Sequence, residues 1–142
     1  MTRCSESAAF DTRELPKRIL IVDDEPAVAA VLSRYCRNEG CEARIAGSAE
    51  EAISLTGRES FDLIMLDIVL PGLSGFGAIE VLKRFGDVAI LMMSGCADEE
   101  TRKDAVMMGA LGLIGKPVEF EKLLPILQAL PGRTKPFQQS LA

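Results

Sequence analysis

Short continuous apolar runs alternate with helical patterns along most of the chain, and this alternation restricts the possible folds more than any other feature. We predict five strands from the apolar runs at residues 18–22, 41–46, 62–66, 88–93 and 111–114. The runs lack the apolar-polar alternation of a half-exposed sheet, so both faces of the sheet must be covered. Strands that alternate with helices in this way predict a parallel α/β sheet with helices on both sides.

Five helices are predicted between and after these strands, at residues 26–40, 48–57, 75–85, 98–108 and 119–130. Pro26 suits the first turn of its helix, and Ser48 followed by Glu51 forms a capping-box pattern. In the first helix, we expect one apolar stripe to face the core. The members of this stripe are Val28, Val31, Leu32, Tyr35 and Cys36.

The length of the chain, 142 residues, fits one domain, to which we assign residues 18–130. Residues 1–17 are predicted to be a flexible N-terminal extension, and residues 131–142 a short C-terminal tail. The extension lacks the apolar segment of a signal peptide, and no apolar run has the length of a membrane span. We therefore expect a cytoplasmic protein that does not insert into membranes.

Charge and cysteine content argue against two classes of function. Lysine and arginine number 16, aspartate and glutamate 21, and the net charge is −5. Because no basic cluster is present, we expect no direct nucleic-acid partner. The four cysteines form no CxxC pair and the sequence contains no histidine, which favours reduced structural thiols over a zinc site. These cysteines are Cys4, Cys36, Cys41 and Cys96.

Polar residues follow or interrupt four of the five predicted strands. Asp23 and Asp24 follow the first strand, Asp67 interrupts the apolar run of the third, Ser94 follows the fourth, and Lys116 follows the fifth. A charged group in an apolar run is costly unless it is paired or binds a metal. In parallel α/β folds, ligands bind beyond the carboxyl ends of the strands. The sequence therefore predicts a polar site at that edge of the sheet.

The residue types at this edge suit phosphoryl chemistry. Asp23, Asp24 and Asp67 offer oxygen ligands for Mg²⁺, and without a cation they would repel one another. A carboxylate can attack phosphorus to form an aspartyl phosphate, while Lys116 and Ser94 can balance charge on the transferring oxygens. Each residue alone also has an ordinary interpretation, such as a helix cap, a turn residue or a solvated lysine. The hypothesis of a phosphoryl-transfer site rests on the order of these residues on successive strands.

In order and spacing, four segments resemble the receiver domain of bacterial two-component response regulators, in particular the single-domain regulators of chemotaxis. The segments are ILIVDDEP, DLIMLDIVLPGLSG, ILMMSG and GALGLIGKP, and the resemblance extends over residues 18–130. It implies a flavodoxin-like, doubly wound (βα)5 fold whose five-stranded parallel sheet has the order 2-1-3-4-5.

The resemblance also implies how the carboxylates act. Asp67 would be the phosphoacceptor, and its donor would be a phosphohistidine on a sensor histidine kinase or a histidine phosphotransfer protein. Asp23 and Asp24 would organise Mg²⁺ together with Asp67 and the backbone carbonyl of Val69. Because the sequence contains no histidine, the phosphohistidine must belong to another protein.

The remaining site residues would carry the switch. By the same resemblance, Ser94 would follow the phosphoryl group as the switch hydroxyl, and Lys116 would pair with that group. Such a domain catalyses only its own phosphorylation and dephosphorylation, and it switches a surface that binds a downstream protein. One residue departs from the pattern, because Leu113 stands where receivers usually carry an aromatic residue. We therefore expect phosphorylation to be communicated differently, chiefly through residues 94–98 and the helix after them.

Partner binding is the expected mode of action. The protein would serve as a diffusible single-domain regulator, as a phosphorelay intermediate, or as part of a longer regulator or hybrid kinase. In the family, the first helix lies beside the phosphotransfer partner. Ala27 and Ala30 leave one face of that helix small and uncharged, which suits docking.

Three alternative functions stay open at this point. A haloacid dehalogenase type phosphatase would use the same nucleophile, but it needs an acid two positions later, where this sequence has Val69. A nucleotide- or flavin-binding module would need a glycine in the loop DDEPA. A receiver that no longer accepts phosphate is the third alternative, and Leu113 is the residue that favours it.

Overall fold

The computed structural model describes residues 14–134, and residues 1–13 and 135–142 lie outside the described part. The predicted extension and tail, with Cys4, therefore fall largely outside it. The strands are β1 (Glu14–Leu15), β2 (Arg18–Val22), β3 (Glu42–Ala46), β4 (Leu63–Asp67), β5 (Ala89–Ser94), β6 (Gly112–Gly115) and β7 (Arg133–Thr134). The helices are α1 (Pro26–Asn38), α2 (Ala49–Arg58), α3 (Gly75–Lys83), α4 (Glu99–Met107) and α5 (Phe120–Ala129).

The main sheet is parallel throughout and has the order β3-β2-β4-β5-β6. Counted over these five strands alone, the order is 2-1-3-4-5, so the predicted flavodoxin-like fold is confirmed. The predicted boundaries of all five strands and all five helices agree with the observed ones within two residues. Continuous apolar runs locate buried strands well because both faces of each strand lie in the core.

Two apolar layers cover the sheet. Alternate residues of β2 enter different layers: Leu20 and Val22 pack on one side, and Ile19 and Ile21 on the other. Buried residues of α2, α3 and α4 cover the first side, and those of α1 and α5 cover the second. Because all five strands are parallel, their carboxyl ends lie at one edge of the molecule.

Helix ends follow local rules that the sequence displays. The Ser48 hydroxyl accepts a hydrogen bond of 3.1 Å from the Glu51 N–H, as the capping-box pattern predicts. The Glu51 carboxylate accepts from the N–H of Gly47 instead of that of Ser48. At the end of α1, Gly40 has a φ of +88°, a conformation that glycine adopts without strain.

The predicted core stripe of α1 is wrong at one position. The side chain of Val31 is 55% exposed, and Val28 and Tyr35 are only partly buried. The residues of α1 that are buried are Ala29, Leu32, Ser33 and Cys36. Small side chains at Ala29 and Ser33 let the helix approach the sheet closely, which rotates Val31 toward solvent.

The two ends of the described chain pair with each other. Glu14 lies opposite Thr134 and Leu15 opposite Arg133, in a two-stranded antiparallel ribbon. Nearby, the Lys17 ammonium donates a hydrogen bond of 2.9 Å to the carbonyl of Leu127, near the end of α5. Two-residue strands carry too little pattern for sequence analysis to detect. Within residues 14–134, none of the helices combines the length and the apolar character needed to cross a membrane.

Candidate functional site

The structure brings the predicted polar residues together at the carboxyl edge of the sheet. Asp23 directly follows β2, Asp67 and Ser94 are the last residues of β4 and β5, and Lys116 directly follows β6. The Lys116 Nζ lies 2.9 Å from Asp23 Oδ2 and 2.8 Å from Asp67 Oδ2. Lys116 thus contacts two carboxylates that lie 93 and 49 positions before it in the sequence.

A cluster of three carboxylates lies in this site. One oxygen from each of Asp23, Asp24 and Asp67 can be chosen so that all three lie within 4.8 Å of one another. Asp23 and Asp67 are buried, whereas Asp24 is exposed. An all-oxygen donor set with one open side fits a hard divalent cation that keeps several waters, as Mg²⁺ does.

Each buried carboxylate is held at both of its oxygens. Asp67 accepts from the Val69 N–H at Oδ1, at 3.0 Å, and from Lys116 at Oδ2. Asp23 accepts from the Glu25 N–H at Oδ1, at 2.9 Å, and also from Lys116 at Oδ2. Buried charges need such partners to offset their loss of hydration. The two carboxylates are thus fixed in place before any ligand binds.

Lys116 is held as a cation by its surroundings. Burial alone lowers the pKa of the Lys116 ammonium, but the hydrogen bonds to Asp67 and Asp23 outweigh burial and raise that pKa above its ordinary range. The backbone N–H of Lys116 donates to the Ser94 carbonyl at 2.9 Å. The Lys116–Pro117 peptide bond is cis, the form that Pro117 permits.

Ser94 lies at the site, but its hydroxyl is turned into its own loop. The Oγ accepts from the Cys96 N–H at 3.0 Å and donates to the Cys96 carbonyl at 3.2 Å. Next to it, an open cleft of about 600 Å³ reaches Asp67 and Lys116. The cleft is lined by Asp24, Glu25, Asp67, Val69, Leu70, Pro71, Gly95 and Lys116.

Two residues of the site were not singled out from the sequence. Glu25 places Oε1 3.5 Å from the Lys116 Nζ, on the exposed side of the cleft. Its position beside Asp23 and Asp24 is the signal that could have identified it. Gly75 begins α3, and a Cβ there would overlap the backbone carbonyl of Asp67. Glycine is therefore required at Gly75 because this helix starts against the end of β4.

An apolar groove of about 520 Å³ adjoins the polar cleft. Lys116 and Glu25 lie at the boundary, since both line the groove and the cleft. The other lining residues are Ala27, Val28, Val31, Leu32, Pro117, Val118 and Phe120. The exposed side chain of Val31 thus belongs to a surface beside the reactive edge, and not to the core.

Comparison with protein families and curated proteins gives one consistent result. The sequence matches the response regulator receiver domain family over residues 19–128. It is 32% identical to the transcriptional activator protein PfeR of Pseudomonas aeruginosa, over 83% of this chain and 39% of that protein. It is 33% identical to the transcriptional regulatory protein YvrH of Bacillus subtilis, over 82% and 49%. The chain therefore spans about half the length, or less, of these relatives.

Three solved structures, among others, are similar to this chain in fold. Chemotaxis protein CheY4 of Vibrio cholerae has a TM-score of 0.76 at 26% identity, with coverage of 82% of this chain and 99% of that one. A Burkholderia pseudomallei response regulator solved with a phosphorylated aspartic acid, calcium ion and citrate has a TM-score of 0.73 at 34% identity, covering 80% and 67%. A chain of the Borrelia burgdorferi CheX–CheY–BeF3–Mg²⁺ complex has a TM-score of 0.76 at 27% identity, covering 81% and 89%.

Proposed function

Because the chain belongs to the response regulator receiver domain family, we propose that it accepts a phosphoryl group on Asp67 in two-component signalling. The observation that carries this proposal is the environment of the Asp67 carboxylate. It ends a central strand, lies in the three-carboxylate cluster and contacts the Lys116 ammonium at 2.8 Å. A nucleophile, a cation-binding set and a fixed positive charge therefore meet at one position in the open cleft.

The reaction follows from these contacts. A carboxylate oxygen of Asp67 attacks the phosphorus of a phosphohistidine, the P–N bond breaks, and the imidazole of the donor leaves with the bonding electron pair. Asp23, Asp24, Asp67 and the carbonyl of Val69 would hold Mg²⁺, which would supply positive charge to the transferring oxygens when bound. The Lys116 ammonium remains protonated and pairs with the new phosphoryl oxygens.

Ser94 reports the phosphorylated state in this proposal. Its hydroxyl now bonds to the backbone of Cys96, and the phosphoryl group on Asp67 offers stronger, charged acceptors. The hydroxyl turns to donate to a phosphoryl oxygen, which removes the bond it donates to the Cys96 carbonyl and weakens the bond it accepts from the Cys96 N–H. The loop that follows β5 is thereby free to move.

The phosphate donor is a sensor histidine kinase or a histidine phosphotransfer protein. The apolar groove beside α1 opens next to Lys116, so a helical surface that carries the phosphohistidine can dock there and reach Asp67. A downstream protein then binds the switched surface. We place this reaction in the cytoplasm, without direct nucleic-acid contact by this domain.

A phosphatase of the haloacid dehalogenase type is not supported, because the position that would carry its general acid holds an apolar residue. Two residues after Asp67, the side chain of Val69 is 74% exposed and contains no acid that could protonate a leaving group. Turnover of small phosphate esters is therefore not expected.

Labelling from acetyl phosphate tests the proposal. With Mg²⁺ present, the wild type should incorporate acid-labile phosphate and Asp67→Asn should not. Asp87→Asn is the matched control because it removes a carboxylate from an exposed loop away from the site, and it should be labelled like the wild type. Equal labelling of Asp67→Asn would overturn the assignment.

A further inference from the structure

The Arg102 side chain links α4 to β6 by a hydrogen bond. Its Nη1 donates a hydrogen bond of 2.7 Å to the carbonyl oxygen of Leu113. Because the donor is a guanidinium, this bond is charge-assisted and stronger than a bond between neutral groups. The acceptor belongs to Leu113, whose side chain is buried and packs in the core. A surface arginine is thus bonded to the backbone of the residue at which this chain departs from its family.

The Leu113 carbonyl is available because β6 is at the edge of the sheet. The N–H of Lys116 bonds to the Ser94 carbonyl of β5, and backbone groups of alternate residues along a strand point in opposite directions. Counting back from Lys116, Ile114 and Gly112 face β5, so Leu113 faces the open edge. Arg102 therefore supplies the donor that another strand would otherwise supply.

The same helix begins at the loop that Ser94 controls. The Asp98 carboxylate caps α4 by accepting from the Thr101 N–H at 2.8 Å. The backbone N–H of Arg102 donates to the Asp98 carbonyl at 3.0 Å. If the Ser94 hydroxyl no longer donates to the Cys96 carbonyl, the loop moves and displaces Asp98 and the first turn of α4. The Arg102 side chain joins that first turn to β6 through its hydrogen bond to Leu113.

We propose that the Arg102–Leu113 hydrogen bond holds α4 against β6 in the unphosphorylated protein and is released when Ser94 turns to the phosphoryl group. This inference rests on the proposed function of Asp67. A ligand shifts a two-state equilibrium only through a difference in its affinity for the two states. A contact made only in the unphosphorylated state opposes phosphorylation, so removing it favours the phosphorylated state. Arg102 is a positioning residue. It passes the change at Ser94 on to β6, a task that the aromatic residue usual at position 113 would otherwise perform.

Titration with beryllofluoride at saturating Mg²⁺ tests the proposal, because beryllofluoride stands in for the phosphoryl group. The ¹⁵N-labelled protein is followed through the amide signal of Gly95, next to Ser94, and through those of Gly112 and Gly115, which flank Leu113 and Ile114 in β6. Arg102→Met should lower the apparent dissociation constant about tenfold, the low end of the effect of losing one hydrogen bond to a charged group. Arg102→Lys keeps a cationic donor and should recover most of the difference. Lys103→Met removes the same charge from the same helix and should stay within about twofold of the wild type.

The outcomes separate this inference from the proposed function. If the wild type responds to beryllofluoride while Arg102→Met has an unchanged or higher dissociation constant, the inference is overturned and the role of Asp67 stands. If the wild type does not respond, the proposed function fails and the inference fails with it. The guanidinium signals of Arg102 in the wild type give a measurement that needs no variant to fold. They should shift when beryllofluoride is added, and an unchanged set of signals would overturn the release of the bond.

Discussion

Two clusters of opposite charges lie at opposite edges of the main sheet, and they differ in burial. The carboxyl-edge cluster consists of Asp23, Asp67 and Lys116, and the amino-edge cluster of Arg18, Glu42, Arg44 and Glu59. The closest contact is short in both clusters, 2.8 Å from Lys116 to Asp67 and 2.7 Å from Arg18 to Glu59. Side chains of the first cluster are 0 to 16% exposed, and those of the second are 22 to 58% exposed.

Burial decides what each cluster does for the protein. An exposed ion pair contributes little to stability because water and salt screen it. A buried charge without its partner is strongly destabilising, because its lost hydration is no longer offset. The carboxyl-edge cluster is therefore held by the pairing of the Lys116 ammonium with two carboxylates. A ligand that changes the charge there changes every contact in the cluster. Nearly equal distances thus describe a buried ion-paired site at one edge and an exposed surface network at the other.

The largest expected effect comes from Lys116→Met in the metal-free protein. This substitution leaves Asp23 and Asp67 buried without their cation, and the free energy of unfolding should fall by about 3 kcal/mol. Urea denaturation measures the change. Added Mg²⁺ should recover part of the loss, because the cation supplies positive charge to the same carboxylates. A loss below about 0.5 kcal/mol would mean that the two clusters do not differ in the proposed way.

The fold and the reactive edge could be predicted because both depend on patterns along the chain. Continuous apolar runs located the strands, and the polar residues at their carboxyl ends had to meet because the strands are parallel. The contacts of Lys116 with Asp23 and Asp67 follow from that topology. The meeting of these residues at one edge of the sheet could therefore be predicted from the sequence, whereas their distances could not.

The remaining features depend on packing that no short pattern encodes. The rotation of α1 was wrong at Val31 because the small side chain of Ala29, and not the larger Val31, lies against the sheet. The requirement for Gly75 arises from the backbone of Asp67, in another element. Arg102 looks like an ordinary surface residue in the sequence, and only the position of the β6 edge gives it an acceptor.

A second prediction concerns docking at the carboxyl edge. Ala27→Glu places a charge in the apolar groove, and it should slow transfer from a histidine phosphotransfer protein about tenfold, the effect of about 1.4 kcal/mol. The sequence pattern groups Ala30 with Ala27 on the docking face, but the structure places Ala30 outside the groove lining. Ala30→Glu on the same helix is therefore the matched control. Labelling of both variants by acetyl phosphate should be unchanged. Equal loss of transfer and labelling in Ala27→Glu would indicate damage to the fold instead.

A smaller effect is expected from Asp24→Ala. This exposed carboxylate belongs to the three-carboxylate cluster that we propose holds the cation, so Mg²⁺ should raise the unfolding temperature of the wild type and not that of the variant. Without metal, the variant should be more stable by up to about 0.5 kcal/mol, because repulsion among the carboxylates is relieved. Thermal denaturation with and without Mg²⁺ measures both effects. An unchanged response to Mg²⁺ in the variant would count against the metal site.

The smallest effect is expected at the amino edge, from Glu59→Gln. The hydrogen bond from Arg18, aided by the charge of Arg44 and opposed by partial burial, lowers the pKa of the Glu59 carboxyl below its ordinary value of 4.5. A lowered carboxyl pKa contributes stability above pH 4.5, and the contribution disappears as the pH falls through the lowered value. The difference between wild type and variant in urea should therefore be small at pH 7, shrink on acidification and shrink with added salt. If Glu59→Gln lowered the free energy of unfolding as much as Lys116→Met, the two clusters would not differ in the proposed way.

Chemical mapping of the phosphorylated residue tests the central claim most directly. After labelling with acetyl phosphate and Mg²⁺, borohydride reduction converts a phosphoaspartate to homoserine, which peptide mass spectrometry locates in the sequence. We predict homoserine at Asp67 and at no other aspartate. Homoserine at Asp23 or Asp24, with Asp67 unchanged, would contradict it.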